Sequence, residues 1–342
     1  MTSLLVLVPC RNEARVIARR LRNLALCEWP ESERPHRVVV IDDHSSDGTA
    51  AVAARAAAEL PQLAISVVAG TGRPGKSAAI ARGLAEIKGE ELIVLTDADV
   101  LFERRALVQL AQAFAADSRL GMACGAQRFV PELPASGAPD PRAPSAAGLY
   151  DRLTALVRTL ESRFGALVSV HGQCLVWRAD LGLAPTPGMA ADDLDLMLQA
   201  RAAGARIERV AGAVFCEEKT PSGPDAEAQA LRRARAYVQF LGHARIAELS
   251  GRGGAFRRLQ GWCYRYLPTA APWLAPLVAL ASLAALSRAL GTPAAAWGLL
   301  ALLLLLASPV GRRLIALLRV IALAARAEAG AGMSDVWETA RR

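Results

Sequence analysis

From Tyr266 to Gly311 the chain carries a single charged side chain, Arg288. Either side of it, Tyr266–Ser287 and Ala289–Gly311 contain no Asp, Glu, Lys or Arg. A helix crossing a hydrocarbon core of ~30 Å needs about 20 apolar residues, and each window supplies them. Leu302–Leu306 is an unbroken leucine run with no polar face, which argues against two buried helices of a soluble protein. Arg252, Arg257, Arg258 and Arg265 precede the pair, and Arg312, Arg313 and Arg319 follow it. The positive-inside tendency then puts both ends of a hairpin in the cytosol, with the turn near Leu290–Pro293 on the far side.

The basic balance fits the same picture. Net charge is +8, and the arginines cluster beside apolar runs, so an anionic membrane surface is the expected partner and nucleic acid is not. Arg312, Arg319 and Arg326 recur every seventh residue among leucines, the pattern of an amphipathic helix lying in the interface. The N-terminal apolar run Leu4–Val8 is too short for a signal peptide and lacks a basic lead, so the part preceding the apolar windows is expected in the cytosol of a multi-pass inner-membrane protein. The expected organisation is a cytosolic domain over residues 1–250 and a basic interfacial segment over 251–265. Two transmembrane helices over 266–311 and an amphipathic tail over 312–342 complete it.

The first part looks like an ordinary α/β chain. Leu4–Val8, Arg37–Ile41, Ala64–Val68, Glu91–Thr96 and Leu120–Val130 are short runs rich in Val, Ile and Leu. Helical stretches Asn12–Leu26, Asp47–Leu60 and Ser77–Ile87 alternate with the first four of them. Continuous apolar strands alternating with helices predict a parallel-rich sheet covered on both faces. Pro131–Pro144 is expected to be a loop, followed by a helix over Leu149–Arg163 and a strand near Leu167–Val170. A helix over Asp192–Ala203 and a long basic helix from Asp225 complete this part. The six cysteines lack metal-ligand spacing and any C-x-x-C, so buried, reduced thiols are expected.

Acidic pairs sit where such a sheet binds ligands. Asp42-Asp43 follows the second strand and Asp97-Ala98-Asp99 the fourth, at the carboxyl ends that line the crevice of a parallel sheet. A D-x-D pair at a strand end suits a hard divalent cation, which would neutralise a diphosphate. Asp47 is expected to be a helix N-cap. Asp192-Asp193-Leu194-Asp195 opens a helix, where acidic residues are also ordinary dipole partners, and Glu217-Glu218 alone says little.

In order along the chain, these parts resemble the family 2 inverting glycosyltransferases, with a GT-A-like α/β domain followed here by membrane helices. Pro9-Cys10-Arg11-Asn12-Glu13 is similar to the family's opening P-x-x-N-E, and Asp42-Asp43-x-Ser45-x-Asp47-x-Thr49 to its second signature. Gly75-Lys76 matches its donor-contacting lysine, Asp97-Ala98-Asp99 its D-x-D, and Asp192-Asp193-Leu194-Asp195 its acidic T-E-D or E-D-x-D motif. The resemblance implies a nucleoside site at Pro9, Glu13, Asp42 and Asp43, with Asp43 favoured over Asp42. It further implies ribose and phosphate contacts at Lys76 and Asp97, and Mg²⁺ or Mn²⁺ held through Asp97 and Asp99. Asp193 would be the general base. Gly172, Asp192, Arg232 and Arg235 would lie towards the acceptor. The donor would be a nucleotide-diphospho-sugar, with UDP the commonest nucleotide in such families, and the acceptor a lipid, a lipid-linked group or a polysaccharide. Arg232-Arg233-Ala234-Arg235-Ala236 keeps both basic positions of the Q/R-x-x-R-W motif of polymer synthases but has Ala236 in place of tryptophan, which favours single transfer. Ala191 stands where T-E-D has threonine.

Two rivals remain at this level. Gly70-Thr71-Gly72-Arg73-Pro74-Gly75-Lys76-Ser77 satisfies G-x-x-x-x-G-K-S between a strand and a helix, as a membrane-anchored P-loop nucleotide triphosphatase would. A catalytically inactive membrane scaffold would keep the fold without turnover.

Overall fold

The computed structural model describes residues 2–220, 223–243 and 254–328. The chain forms two compact units that divide between Pro221 and Ser222.

The first unit is an eight-stranded sheet with strand order β3-β2-β1-β4-β7-β6-β8-β5. Its strands are β1 (Leu4–Cys10), β2 (Arg37–Asp42), β3 (Ala64–Ala69), β4 (Leu92–Leu95), β5 (Val100–Phe102), β6 (Leu120–Val130), β7 (Leu175–Arg178) and β8 (Arg206–Glu218). The helices of this unit are α1 (Ile17–Leu26), α2 (Thr49–Ala58), α3 (Lys76–Leu84), α4 (Ala106–Ala116), α5 (Leu149–Arg163) and α6 (Asp192–Ala202). β1 alternates between two buried faces. Leu4, Val6 and Val8 join Ile17, Leu21 and Leu24 of α1 in one core, while Leu7 and Ile41 meet α3 at Gly83. Burial on both faces explains why this strand has no polar alternation.

β1, β2, β3 and β4 are mutually parallel, as expected. Three antiparallel pairings were not foreseen: β7 with β4 and with β6, and β5 with β8. β5 and β7 have only three and four residues, too few to show a period. The strand expected near Leu167–Val170 does not form. Leu167, Val168 and Val170 are buried, but as irregular chain, with the Arg201 guanidinium donating to the Leu167 carbonyl in place of a ladder bond. Apolar content there reports burial, and the strand itself lies a few residues later, at β7.

The second unit holds α7 (Pro224–His243), α8 (Ala255–Leu290), α9 (Thr292–Ala307) and α10 (Pro309–Glu328). α8 is the one helix among the described residues that is long and apolar enough to cross a membrane. The second uncharged window does not form one helix. It breaks at Gly291 and again at Ser308-Pro309, because proline is favoured at a helix start and disfavoured inside one. The resulting α9 has 16 residues, about 24 Å at 1.5 Å per residue, short of a full hydrocarbon core. Among the described residues a second full span is therefore not seen, and the expected multi-pass topology has no support from helix length. The turn at Leu290–Pro293 is found where the sequence put it, and α10 covers the arginine heptad as a helix packed on α7, α8 and α9.

Candidate active site

Register alone brings the acidic motifs to one edge. Cys10 pairs with Asp42 across β1 and β2, and Leu7 with Leu95 across β1 and β4, so the three strands end together. β7 runs antiparallel to β4 with Leu175 opposite Leu95, so the residues just before β7 arrive at that same edge. These are Gly172–Cys174, a 3-10 turn.

The first two motifs are stitched into one surface. The Asn12 and Glu13 amides donate to Ser45 Oγ (2.9 Å) and Thr49 Oγ1 (2.8 Å), and the Asn12 carboxamide accepts from the Ser46 amide (2.9 Å). Asp47 is not the N-cap of α2; Gly48 occupies that position. The Asp47 carboxylate instead accepts from the Ala14 and Thr49 amides, both at 3.0 Å, joining the Pro9–Glu13 loop to the start of α2. Pro9 is the penultimate residue of β1 and is buried.

Asp43 is buried and accepts from the Gly75 amide at 2.9 Å, with the Arg11 guanidinium 3.6 Å away. Burial raises its pKa, and the Gly75 N–H and Arg11 pull it back. Gly70 makes room for this turn, since a Cβ there would lie 3.2 Å from both Asp43 Cα and Oδ1. Neighbouring Asp42 ends β2 with Oδ1 buried and without a hydrogen bond. The Gly75–Asp43 bond also bears on the P-loop reading. The amide that would face a phosphate is taken by a carboxylate, and the Ser77 hydroxyl donates to the Met189 carbonyl (2.7 Å). A P-loop needs those groups free for nucleotide and magnesium.

Lys76 is the hub. Its Nζ donates to Asp97 Oδ1 at 2.9 Å and lies 3.7 Å from Asp192 Oδ2. Burial works against the ammonium, but Asp192 and Asp97 outweigh it and hold its pKa above the ordinary lysine value. Asp192 is buried at the first position of α6, and burial pushes its pKa up to about 7 despite Lys76. Next to it, Asp193 accepts from the Gly172 amide (3.1 Å) through Oδ2 and from the Leu194 amide (2.9 Å) through Oδ1. Burial raises the proton affinity of Asp193 too, against Lys76 and those two amides. A Cβ on residue 172 would stand 3.2 Å from Asp193 Cβ, so glycine permits this approach. Asp195 differs in kind, holding the Thr186 amide (2.7 Å) and Gln199 as a brace for the loop before α6.

Asp97, Asp192 and Asp193 are therefore gathered around one lysine, with Asp99 two residues beyond Asp97, an excess of negative charge that calls for a further cation. Among the described residues no three His, Cys, Asp or Glu side chains form a complete metal cage. Two strand-end carboxylates with the other positions left to diphosphate and water match the way Mg²⁺ is held, and no sulfur or imidazole competes. The donor set fits. Arg232 and Arg235 lie on α7, which belongs to the second unit.

Sequence reasoning missed the support behind the D-x-D. Arg20, fully buried over the Phe102 ring at 4.0 Å, donates to Thr96 Oγ1 (2.8 Å), and Thr96 donates to the Gln173 carbonyl (2.8 Å). Burial lowers the Arg20 pKa to about 10. An arginine inside an apolar helix face was the available signal. Glu217, weak evidence by itself in the sequence, takes hydrogen bonds from Gln127 and from Gln173 (3.4 Å), next to that turn.

The model of the family described as "Glycosyltransferase like family 2" matches residues 2–237, and the chain belongs to that family. Among solved structures, the chain is similar to mannosyltransferase PcManGT from Pyrobaculum calidifontis, in complex with GDP-Man and Mn²⁺. The identity is 28%, over 96% of this chain and 86% of that one, with a TM-score of 0.72. TarS residues 1–349 from S. aureus, in complex with UDP, shares the fold at 18% identity and a TM-score of 0.50, over 79% of this chain and 72% of that one. Among curated proteins, beta-monoglucosyldiacylglycerol synthase of Trichormus variabilis is 34% identical over 109 residues, 32% of this chain. The match spans 23% of that relative's length. The GT-A-like α/β fold is thus the one the motifs implied.

Proposed function

We propose that this chain is a hexosyltransferase that moves one sugar from a nucleotide-diphosphate donor to a hydroxyl of a lipid acceptor, inverting the anomeric centre. The observation that carries the proposal is Asp193. It is a carboxylate with raised proton affinity, fixed by two backbone amides, in the same cluster as Lys76 and Asp97. A base whose pKa is drawn towards neutrality is better matched to taking a proton from an alcohol.

In this reading Pro9, Glu13, Asp42 and Asp43 hold the nucleoside, and Lys76 with Asp97 sets the ribose and phosphates. Mg²⁺ or Mn²⁺, held by Asp97 and Asp99, would supply charge neutralisation for the departing diphosphate. Asp193 takes the acceptor proton as the hydroxyl attacks from the face opposite the nucleotide. Asp192 keeps Lys76 in place from the other side. GDP-Man, UDP and Mn²⁺ in the similar structures support a metal-assisted nucleotide-sugar donor without choosing the base. The monoglucosyldiacylglycerol that the curated relative is named for making supports a lipid acceptor. α8 would hold the enzyme at the membrane, with the active site cytosolic, and Ala236 in place of tryptophan favours a single transfer.

Asp193→Asn keeps size and hydrogen bonding but cannot take a proton at neutral pH. Single-turnover transfer should fall by about 10² to 10⁴, roughly 3 to 5 kcal/mol of barrier, while nucleotide affinity stays within about twofold. Normal transfer by this variant would refute the assignment.

A further inference from the structure

Helix α5 has two unlike faces. Leu149, Leu153, Leu156 and Leu160 fall on one stripe at helical spacing, each 43% exposed or more, with Tyr150, Val157 and Phe164 beside it. Roughly opposite, Asp151, Arg152, Ala155 and Arg158 line a cavity of about 120 Å³ that is completed by Arg209 and His171 among others.

The cavity is cationic. Asp151 is already paired with Lys219 at 2.7 Å, and Arg128 at the rim with Glu103 at 3.1 Å. Arg152, Arg158 and Arg209 have no carboxylate partner among the described residues. Among the described residues the guanidinium of Arg158 meets only Ser169 Oγ (3.1 and 3.3 Å) and His171 Nε2 (3.1 Å), and that of Arg209 only Thr159 Oγ1 (3.1 Å). Burial and the neighbouring Arg158 both act to lower the Arg209 pKa, the mark of two guanidinium groups held together without a counter-charge. The cavity also adjoins the proposed base. His171 in its wall precedes Gly172, whose amide holds Asp193, and the buried Cys124 thiol feels Arg158, Arg209 and Asp193 alike.

We propose that this cavity binds the phosphate of a phospholipid acceptor, presented by α5 lying with its apolar face in the bilayer surface. Arginines without carboxylates suit a phosphate, to which they donate paired hydrogen bonds, and the cavity is sized for a few heavy atoms, not for acyl chains. The tails stay in the bilayer beside Leu149–Leu160, the phosphate sits behind the helix, and a headgroup hydroxyl reaches Asp193. The proposal rests on the glycosyltransferase reading and names its acceptor class, an anionic phospholipid with a free hydroxyl.

The test compares phosphatidylglycerol with diacylglycerol of the same chains as acceptors for the full-length protein in nanodiscs. Phosphatidylglycerol should be preferred by about tenfold or more in kcat/KM, the range expected for charge-assisted hydrogen bonds. The double variant R158Q/R209Q should raise its KM by a similar factor and leave the nucleotide Kd within about twofold. Should that variant lose nucleotide binding through misfolding, the exposed Arg152→Gln decides: a raised phosphatidylglycerol KM supports the proposal and an unchanged one overturns it. Equal use of diacylglycerol, with the KM of either variant unchanged, overturns it as well. Competition by inorganic phosphate without any headgroup preference would mark a free-anion site and also overturn it. A wild-type protein that binds no nucleotide-sugar would sink the transferase reading, a different failure.

Discussion

The two units put the same kind of residue to opposite uses. In the sheet unit Leu, Val and Ile are sealed, with Leu5, Val6, Leu7, Val39 and Leu95 all at 0% exposure. In the helical unit the residues of α8 face outwards, with Leu277, Val278 and Leu280 at 61–64%. Burial of apolar surface is worth roughly 25 cal/mol per Å², so the first pattern is a core held by water exclusion. The second would be costly in water and is at home only against other apolar matter, which lipid provides. Charge divides in the same way. The sheet unit collects carboxylates at one edge around Lys76, whereas α8 and α9 together carry arginines only up to Arg265 and at Arg288.

The sharpest way to break that contrast is a matched truncation. Leu7→Ala in β1 should cost about 2 to 5 kcal/mol of stability in denaturant unfolding, because its surroundings are packed. Leu280→Ala, in detergent, should change the same measurement by less than about 0.5 kcal/mol. Similar losses at both sites would show that α8 is a buried core helix. Next in size, Leu277→Arg places a charge in the middle of the apolar window at about 2.5 to 3.5 kcal/mol on the insertion scale. It should move protein from the membrane pellet to the soluble or degraded fraction. Retention in the pellet after a carbonate wash would remove α8 from consideration as the anchor.

A smaller effect sharpens the other side. The pKa of Asp192 is raised from 3.8 to about 7 in the fold, so its ionisation opposes folding. Its favourable share of stability is fully present below about pH 4 and is lost as pH climbs towards 7. Asp192→Asn should therefore gain on the wild type across that window, by on the order of 1 to 2 kcal/mol at pH 8 relative to pH 4. A pH-independent difference in melting temperature would mean the Lys76 pair fully offsets the burial.

Much of the sheet unit was legible because strand and helix periods are local. Leu120–Val130 and Leu149–Arg163 form the elements expected with the same boundaries, and β1 to β4 differ only by one or two residues at their ends. What escaped was non-local. β5 and β7 exist because β8 and β4 offer them unpaired edges, and β8, foreseen by no pattern, lines up beside β6 through two register shifts. The site shows the same division. Motif order placed Asp43, Lys76, Asp97 and Asp193 in one reading, but not the brace from Arg20 through Thr96 to Gln173. Nor did it reveal the cavity behind α5, whose arginines come from residues far apart in the chain.

By itself, the sequence determined the α/β alternation, the acidic strand ends, the family and the uncharged stretch before Gly311, since each is written in composition and spacing over a few turns or strands. Only the tertiary structure decided which carboxylate sits against Lys76, and that Asp47 joins two loops instead of capping a helix. It also decided that the second uncharged window breaks at Ser308-Pro309 into a helix too short to match the first. Those outcomes depend on register, on burial and on which backbone amides are left for a side chain to hold. Such quantities exist only once distant segments have been brought side by side.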